Sequence, residues 1–180
     1  MAYPMVLFGP DGAQYQTATG TRRTAVPLGG LPYGMQLIVP DGRKYRYCIN
    51  GATLLVIGNL LQAAANVANH VDTTAAANAA DARTLTTTLG ATAATLDQYY
   101  QGYGIISVTP GGGQVYVFDT TPVVLASGSF AGDLRAGHRI RVALTTTSRV
   151  DLIKNPYDNV IQSPATFSGV PVGVAIVAIA

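Results

Sequence analysis

At 180 residues with a formal net charge of +2 at pH 7, the chain is long enough to bury the core of one domain and too weakly charged to signal nucleic acid by itself. Charged residues make up 11% and hydrophobic residues 48%, which excludes intrinsic disorder. Ordinary domains carry about 25% charged residues, so this surface must be built from Thr, Ser, Asn, Gln, Gly and Ala.

The first zone, 1–48, carries an internal echo: Phe8–Tyr15 (FGPDGAQY) resembles Ile38–Tyr45 (IVPDGRKY). Pro presets φ, Asp caps locally and Gly takes a positive φ, so each Pro-Asp-Gly is a turn and each copy predicts a hairpin. Tyr45 and Tyr47 alternate with Lys44 and Arg46, giving one aromatic and one basic strand face. Between the hairpins, Thr17 to Gly34 reads as an extended arm centred on Arg22 and Arg23. Too few apolar residues lie there to pack alone, so both arginines are expected to meet a neighbouring subunit.

The second zone, 49–81, is predicted as strand–turn–strand through Leu54–Ile57, Gly58-Asn59 and Leu60–Gln62, with a helix over 53–65 as the alternative. Ala63 to Ala82 is rich in Ala, Asn and Thr with no clear period, and reads as a loop with at most one short helix. Its small side chains gain little from burial inside their own domain, so Ala76 and Ala79 are expected at a subunit contact. In the third zone, Leu85 and Leu89 share a face at period two. Gly102–Val108 and Gln114–Asp119 are strands joined by the hairpin Pro110–Gly113. Arg139–Leu144 alternates, predicting a strand with Ile140, Val142 and Leu144 inward and the arginines outward. Val150–Ile153 is a short strand, and Val172–Ile179 reads as a strand buried on both faces. Glutamate is absent and lysine occurs twice, as Lys44 and Lys154, so the usual coat of exposed helices is missing. Together these patterns predict an all-β, mainly antiparallel chain: 1–48 as hairpins and arm, 49–180 as a β-barrel or sandwich domain.

Candidate chemistry is thin. The lone Cys48 excludes an internal disulfide. With His70 or His138 it reads as a thiol and base, but no local signature accompanies any of them, and a buried thiol with two ordinary histidines is the plainer account. His70 and Asp72, with Asp81 or Asp97, fall short of the tight three- or four-ligand spacing that zinc wants. Asp151 and Asp158 flank Lys154, yet nothing fixes them to one cleft. Lys154 also suits a Lys–Asn or Lys–Asp cross-link, with its partner open. Gly111–Gly113 lacks the Lys-Ser/Thr and helix of a phosphate loop. Arg135, Arg139 and Arg141 with His138 form a local basic cluster, read as a polar strand face pairing with Asp residues rather than a nucleic-acid site. The reading is non-enzymatic, with no cofactor and no metal. The N-terminus lacks a basic start and its apolar run ends at Gly9-Pro10, which argues against a signal peptide. The apolar C-terminus from Val170 is too short for a membrane helix. A protein kept in a cytoplasm until assembly is expected.

Several stretches recur as a set: Gly42–Tyr47 (GRKYRY), Gly51–Gln62 (GATLLVIGNLLQ), Val67–His70, Leu89–Thr92, Asp97–Tyr103 (DQYYQGY), Arg141–Thr146, Lys154–Tyr157 and Gly169–Val174. The set resembles small head proteins of tailed bacteriophages encoded among the capsid genes. That resemblance spans most of the chain from Gly42 and implies a capsid-associated or decoration protein with a β-barrel or β-tulip-like body. It implies a place in the virion, on the phage head, with the major capsid protein as partner. A homo-oligomer is expected, a trimer or shell-bound cluster rather than a free monomer. The alternatives are a tail-fibre or receptor- or carbohydrate-binding module, for which ten tyrosines speak and the absent tryptophan does not, or another self-assembling shell or tube subunit.

Overall fold

The computed structural model describes residues 6–8 and 32–176. The chain forms two compact units, one drawn from Met1–Ala65 and Pro156–Ala180, the other Asn66–Asn155. The sequence reading drew its line at residue 48. Among the described residues there is no α-helix.

In the first unit, β1 (Val6–Phe8) runs parallel to β2 (Gln36–Ile38), which pairs antiparallel with β3 (Lys44–Arg46). The predicted Pro-Asp-Gly turn joins β2 to β3, with Gly42 at φ 87 and its N–H donating to Val39 O at 2.9 Å. The Asp41 carboxylate accepts the Arg43 N–H at 3.0 Å, which holds its pKa below the ordinary value. The echo at Phe8–Tyr15 and most of the arm, including Arg22 and Arg23, lie outside the described residues. Of the expected strand–turn–strand over Leu54–Gln62, the turn and the second strand form but the first strand does not: Leu55 is a single buried bridge residue, a turn over Val56–Asn59 is closed by Asn59 N–H to Val56 O at 3.2 Å, and β4 (Leu60–Gln62) follows.

The second unit is a closed antiparallel barrel. Its strands are β5 (Thr73–Ala75), β6 (Thr84–Thr88), β7 (Tyr103–Val108), β8 (Val115–Thr120), β9 (Ser129–Leu134) and β10 (Arg149–Ile153). The order around the barrel is β10-β5-β6-β9-β8-β7. The chain then returns to the first unit, where β11 (Ile161–Gln162) and β12 (Pro171–Val174) flank β4.

The barrel has an internal twofold pattern. Exchanging β5, β6, β7 for β8, β9, β10 leaves every strand pairing unchanged. The registers agree: Leu85 opposite Gly132 exchanges with Thr87 opposite Phe130, and Ile106 opposite Val150 with Gly104 opposite Leu152. Two single-residue bridges outside the strands obey it too, Asn78 to Leu144 and Ala94 to Val124. Each bridge residue is buried and is followed at once by a β-turn. The turns are Ala79–Ala82, Thr95–Gln98, Leu125–Gly128 and Thr145–Ser148, closed by N–H···O bonds of 3.3, 3.2, 3.0 and 3.0 Å. The buried residue anchors the loop while the turn tip faces solvent.

Inward residues fill the barrel at period two. Leu85, Ile106, Phe118, Phe130, Val150 and Leu152 are all fully buried. Phe118 meets Phe130 edge-on, with centroids 5.6 Å apart, and Phe130 meets Tyr99 the same way at 5.8 Å. A Cβ on Gly132 would come within 2.7 Å of the Phe118 ring, and one on Gly104 within 2.6 Å of Leu85 and 2.9 Å of Phe118.

Four further expectations change. Arg139–Leu144 is not a strand. Its backbone pairs with neighbouring backbone at two residues, Ile140 N–H to Ala82 O at 3.0 Å and Leu144 N–H to Asn78 O at 2.9 Å. The chain bends between them, so Ile140 and Leu144 are buried while Val142 is exposed. The supposed loop 63–82 contains β5, whose Thr73 and Ala75 point inward, and a 3-10 turn at Ala68–His70. The strand β9 is absent from the sequence reading because Ser, Ala, Gly and Asp are poor strand formers. Finally, β12 pairs on one side with β4 and exposes Val174, so it is not a fully buried strand. Residues 177–180 lie outside the described chain.

Gly104→Ala and Gly132→Ala are each expected to destabilise by about 1–3 kcal/mol through overpacking against Phe118 and Leu85. The check is a lower urea midpoint with unchanged slope. Gly112, where an added Cβ meets nothing nearer than 3.4 Å, is the control.

Candidate functional site

His70 is fully buried in the barrel unit, beside Tyr99. The 3-10 turn Ala68–His70 delivers it, and Gly90 packs over that turn, its N–H donating to Asn69 O at 2.9 Å. The ring nitrogen Nε2 lies 2.8 Å from the Thr92 carbonyl, which only accepts, so Nε2 carries the proton. Nδ1 then accepts from the Tyr99 hydroxyl at 2.5 Å. Both ring nitrogens are consumed by the fold. A fully buried ring with no free nitrogen holds loops together and cannot act on a substrate.

The remaining candidates separate. Cys48 is half-buried in the first unit, whereas His70 and His138 belong to the barrel unit. Burial pushes the Cys48 thiol up, away from the thiolate a nucleophile needs. Asp72 lies 3.8 Å from the Arg149 guanidinium, and its N–H donates to Asp151 at 2.6 Å. Asp97 is buried, its Oδ1 accepting the Thr121 N–H at 3.1 Å, while Asp81 is exposed. No group of three or more metal-ligating side chains forms among the described residues. Asp151 belongs to the barrel unit and Asp158 to the other. Gly111–Gly113 is a hairpin tip between β7 and β8, with Gly111 and Gly113 at φ 88 and 85. An open cleft of ≈ 440 Å³ runs beside the 3-10 turn, lined by Asn69, Asp72, Thr74 and Thr88 among others. Its one carboxylate already faces Arg149, so it holds no acid–base pair.

Of the proposed contact residues, Ala79 is exposed at the start of its turn. Ala76 is half-buried, donating to Thr86 O at 3.0 Å and accepting from Asn78 Nδ2 at 2.8 Å. More prominent is the ribbon made by residues 89–97 and 121–128. It is tied by Leu89 N–H to Gly128 O, Ser127 N–H to Gly90 O, the Ala94–Val124 pair, and Asp97 N–H to Thr121 O, all between 2.7 and 2.9 Å. From this anchored backbone Leu96, Val123 and Leu125 stand out, 61%, 66% and 79% exposed. No charged residue occurs in 89–96 or 121–132. The sequence reading passed over this patch, although the apolar run Val123-Val124-Leu125 before a Ser-Gly turn was there to be seen.

The basic cluster is assembled and enlarged. Arg135 and His138 share a turn, His138 N–H donating to Arg135 O at 2.8 Å, and the Arg139–Arg141 bend follows. Arg83 joins them, because its carbonyl accepts Leu134 N–H at 2.8 Å and its neighbour Ala82 accepts Ile140 N–H at 3.0 Å. The expected pairing with Asp residues does not form: the ion pairs among the described residues are Arg43–Asp41 and Arg149–Asp72. Asp133 instead accepts the hydroxyls of Thr84 and Thr120 at 3.1 and 2.9 Å.

Set against protein-family models, curated proteins and solved structures, the chain matches none of them.

Burial raises the Tyr99 phenol well above its ordinary 10.0. The native state therefore keeps a proton that the unfolded chain loses above about pH 10, so stability is complete below that pH and falls as pH rises through it. Alkaline unfolding followed by near-ultraviolet absorbance is expected to show a Tyr99 step that Tyr99→Phe removes. At neutral pH the same variant leaves Nδ1 without a donor and is expected to cost about 1–3 kcal/mol.

Proposed function

We propose that the chain is a non-enzymatic structural protein of a virus particle, a decoration protein that binds the head of a tailed phage and clamps neighbouring capsid subunits. The observation that carries this reading is the anchored ribbon that exposes Leu96, Val123 and Leu125 and whose one charged residue, Asp97, is buried. Three large apolar side chains held out by hydrogen-bonded turns suit contact with another protein and burden a free monomer. The low overall charge and the order of the stretches that resemble phage head proteins support the same view. Binding by such a surface proceeds by apolar burial and needs no reacting group. In this reading the major capsid protein is the partner, and copies of the chain meet as trimers or shell-bound clusters.

A carbohydrate-binding fibre module is the competing reading, and the tyrosines weaken it. All eight that are described are buried or half-buried, so none offers an open ring face of the kind that stacks on a sugar.

Purified chain added to undecorated phage heads is expected to be retained on sedimentation and to appear at every capsomer by immunogold labelling. Leu125→Asp and Ala79→Arg change exposed positions and are expected to leave the β-rich circular dichroism intact while reducing retention tenfold or more. Label at the tail tip alone, or a stable monomer at high concentration that heads do not retain, defeats the decoration reading and favours the fibre module.

A further inference from the structure

Seven arginines lie among the described residues, and they fall into two groups. Three are held. Arg43 pairs with Asp41 and donates to the Tyr45 hydroxyl at 2.9 Å. Arg46 donates to Gly34 O at 2.8 Å and stacks 5.8 Å from the Tyr157 ring. Arg149 faces Asp72 and donates to Thr146 O at 3.2 Å. The other four, Arg83, Arg135, Arg139 and Arg141, sit on segments that hydrogen bonds bring together at one end of the barrel. Among the described residues none of these four guanidiniums makes an ion pair, a side-chain hydrogen bond or a cation–π contact. Arg83, Arg139 and Arg141 are exposed and Arg135 is half-buried.

The segments beneath them are fixed. Buried Ile140 pins the bend between Arg139 and Arg141, and Arg141 N–H donates to the Tyr116 hydroxyl at 3.1 Å. Arg135 N–H donates to Val117 O at 2.8 Å, and His138 Nδ1 faces Val117 N–H at 3.4 Å. Asp81, Asp119 and Asp133 are carboxylates on these and the adjoining strand segments, and none of them forms an ion pair with an arginine. Four like charges gathered on a rigid surface repel one another, and a chain with so few charges has little reason to collect them without a partner.

We infer that this end of the barrel is a docking surface for an acidic protein segment, whose carboxylates the four arginines engage. Guanidinium forks match carboxylates in bidentate geometry, and anchored backbones reduce the ordering that binding demands. A second copy of the chain does not supply the complement. Its acidic side chains are nine scattered aspartates, with no acidic run anywhere in the sequence. Nucleic acid fits less well, because tight phosphate-backbone binding recruits about 6–10 contacts, and the aromatic rings described in the barrel unit are all buried or half-buried, which leaves none beside the arginines for base stacking.

The test is fluorescence anisotropy with the full chain and a labelled oligo-aspartate peptide at low ionic strength, beside an oligothymidylate of equal charge. The peptide is expected to bind saturably and to bind at least as tightly as the oligonucleotide. Arg139→Gln/Arg141→Gln is expected to weaken peptide binding tenfold or more. Arg43→Gln/Arg149→Gln, which removes the same charge elsewhere, should change it less than twofold. Circular dichroism confirms that both variants fold. Absence of saturable peptide binding, equal weakening by the two double variants, or tighter binding of the oligonucleotide each overturns the inference. Binding to phage heads plays no part in this readout, so its result is independent of the decoration reading.

Discussion

A closed barrel of six strands, none longer than six residues, has a narrow interior, and the Phe118 ring takes up its middle. Room for that ring comes from Gly104 on β7 and Gly132 on β9, where a methyl group would overlap its neighbours. Phe130 closes on it edge-on and Tyr99 closes on Phe130. Tyr99 then donates its hydroxyl to His70, and His70 donates to the Thr92 carbonyl. One contiguous line of rings thus runs from the barrel core to the loops 68–72 and 90–97. Disturbing Phe118 would reach those loops through packing alone, because interiors at crystal-like density transmit strain.

The same enclosure sets how the buried polar groups are held. Buried polar groups persist where each is paired. Asn78 shows how completely this can be done. Its amide donates to Ala76 O and Thr86 O at 2.8 and 2.9 Å, and its carbonyl accepts Thr86 N–H at 2.8 Å. A side chain so engaged is a structural joint, and the bridge to Leu144 starts from it.

Where side-chain pattern alone decides the structure, the sequence was legible. Leu85 and Leu89, the β7–β8 hairpin and the Pro-Asp-Gly turn follow from period-two alternation and turn chemistry. Legibility failed where tertiary pairing overrides local preference. Ser129–Leu134 carries Gly132 because Phe118 needs the space, and a glycine makes a strand look like a loop. Arg139–Leu144 alternates like a strand, but its partners are two bridge loops rather than a ladder, so only every fourth residue is anchored. Of the proposed contact surface, composition singled out Ala79, which is exposed. Leu96, Val123 and Leu125 were missed because exposed apolar residues look like core residues until burial separates them.

The twofold pattern gives this distinction its meaning. The barrel carries two bridge ribbons that its backbone treats as equivalents, 75–82 with 140–148 and 89–97 with 121–128. Pairing requires the same things of both: a buried bridge residue, a turn, and hydrogen bonds on either side. Yet at exposed positions one ribbon presents Leu96, Val123 and Leu125, and the other Ala79, Arg141 and Val142, with exposed Arg139 just before it. Folding does not explain the difference, since side chains pointing to solvent from equivalent turns have the same structural task. On the two proposals made above, the apolar face on one ribbon and the cationic residues at the other mark what each would touch. A barrel whose backbone repeats while its two outer surfaces diverge is suited to standing between unlike neighbours, one met by apolar burial and the other by charge.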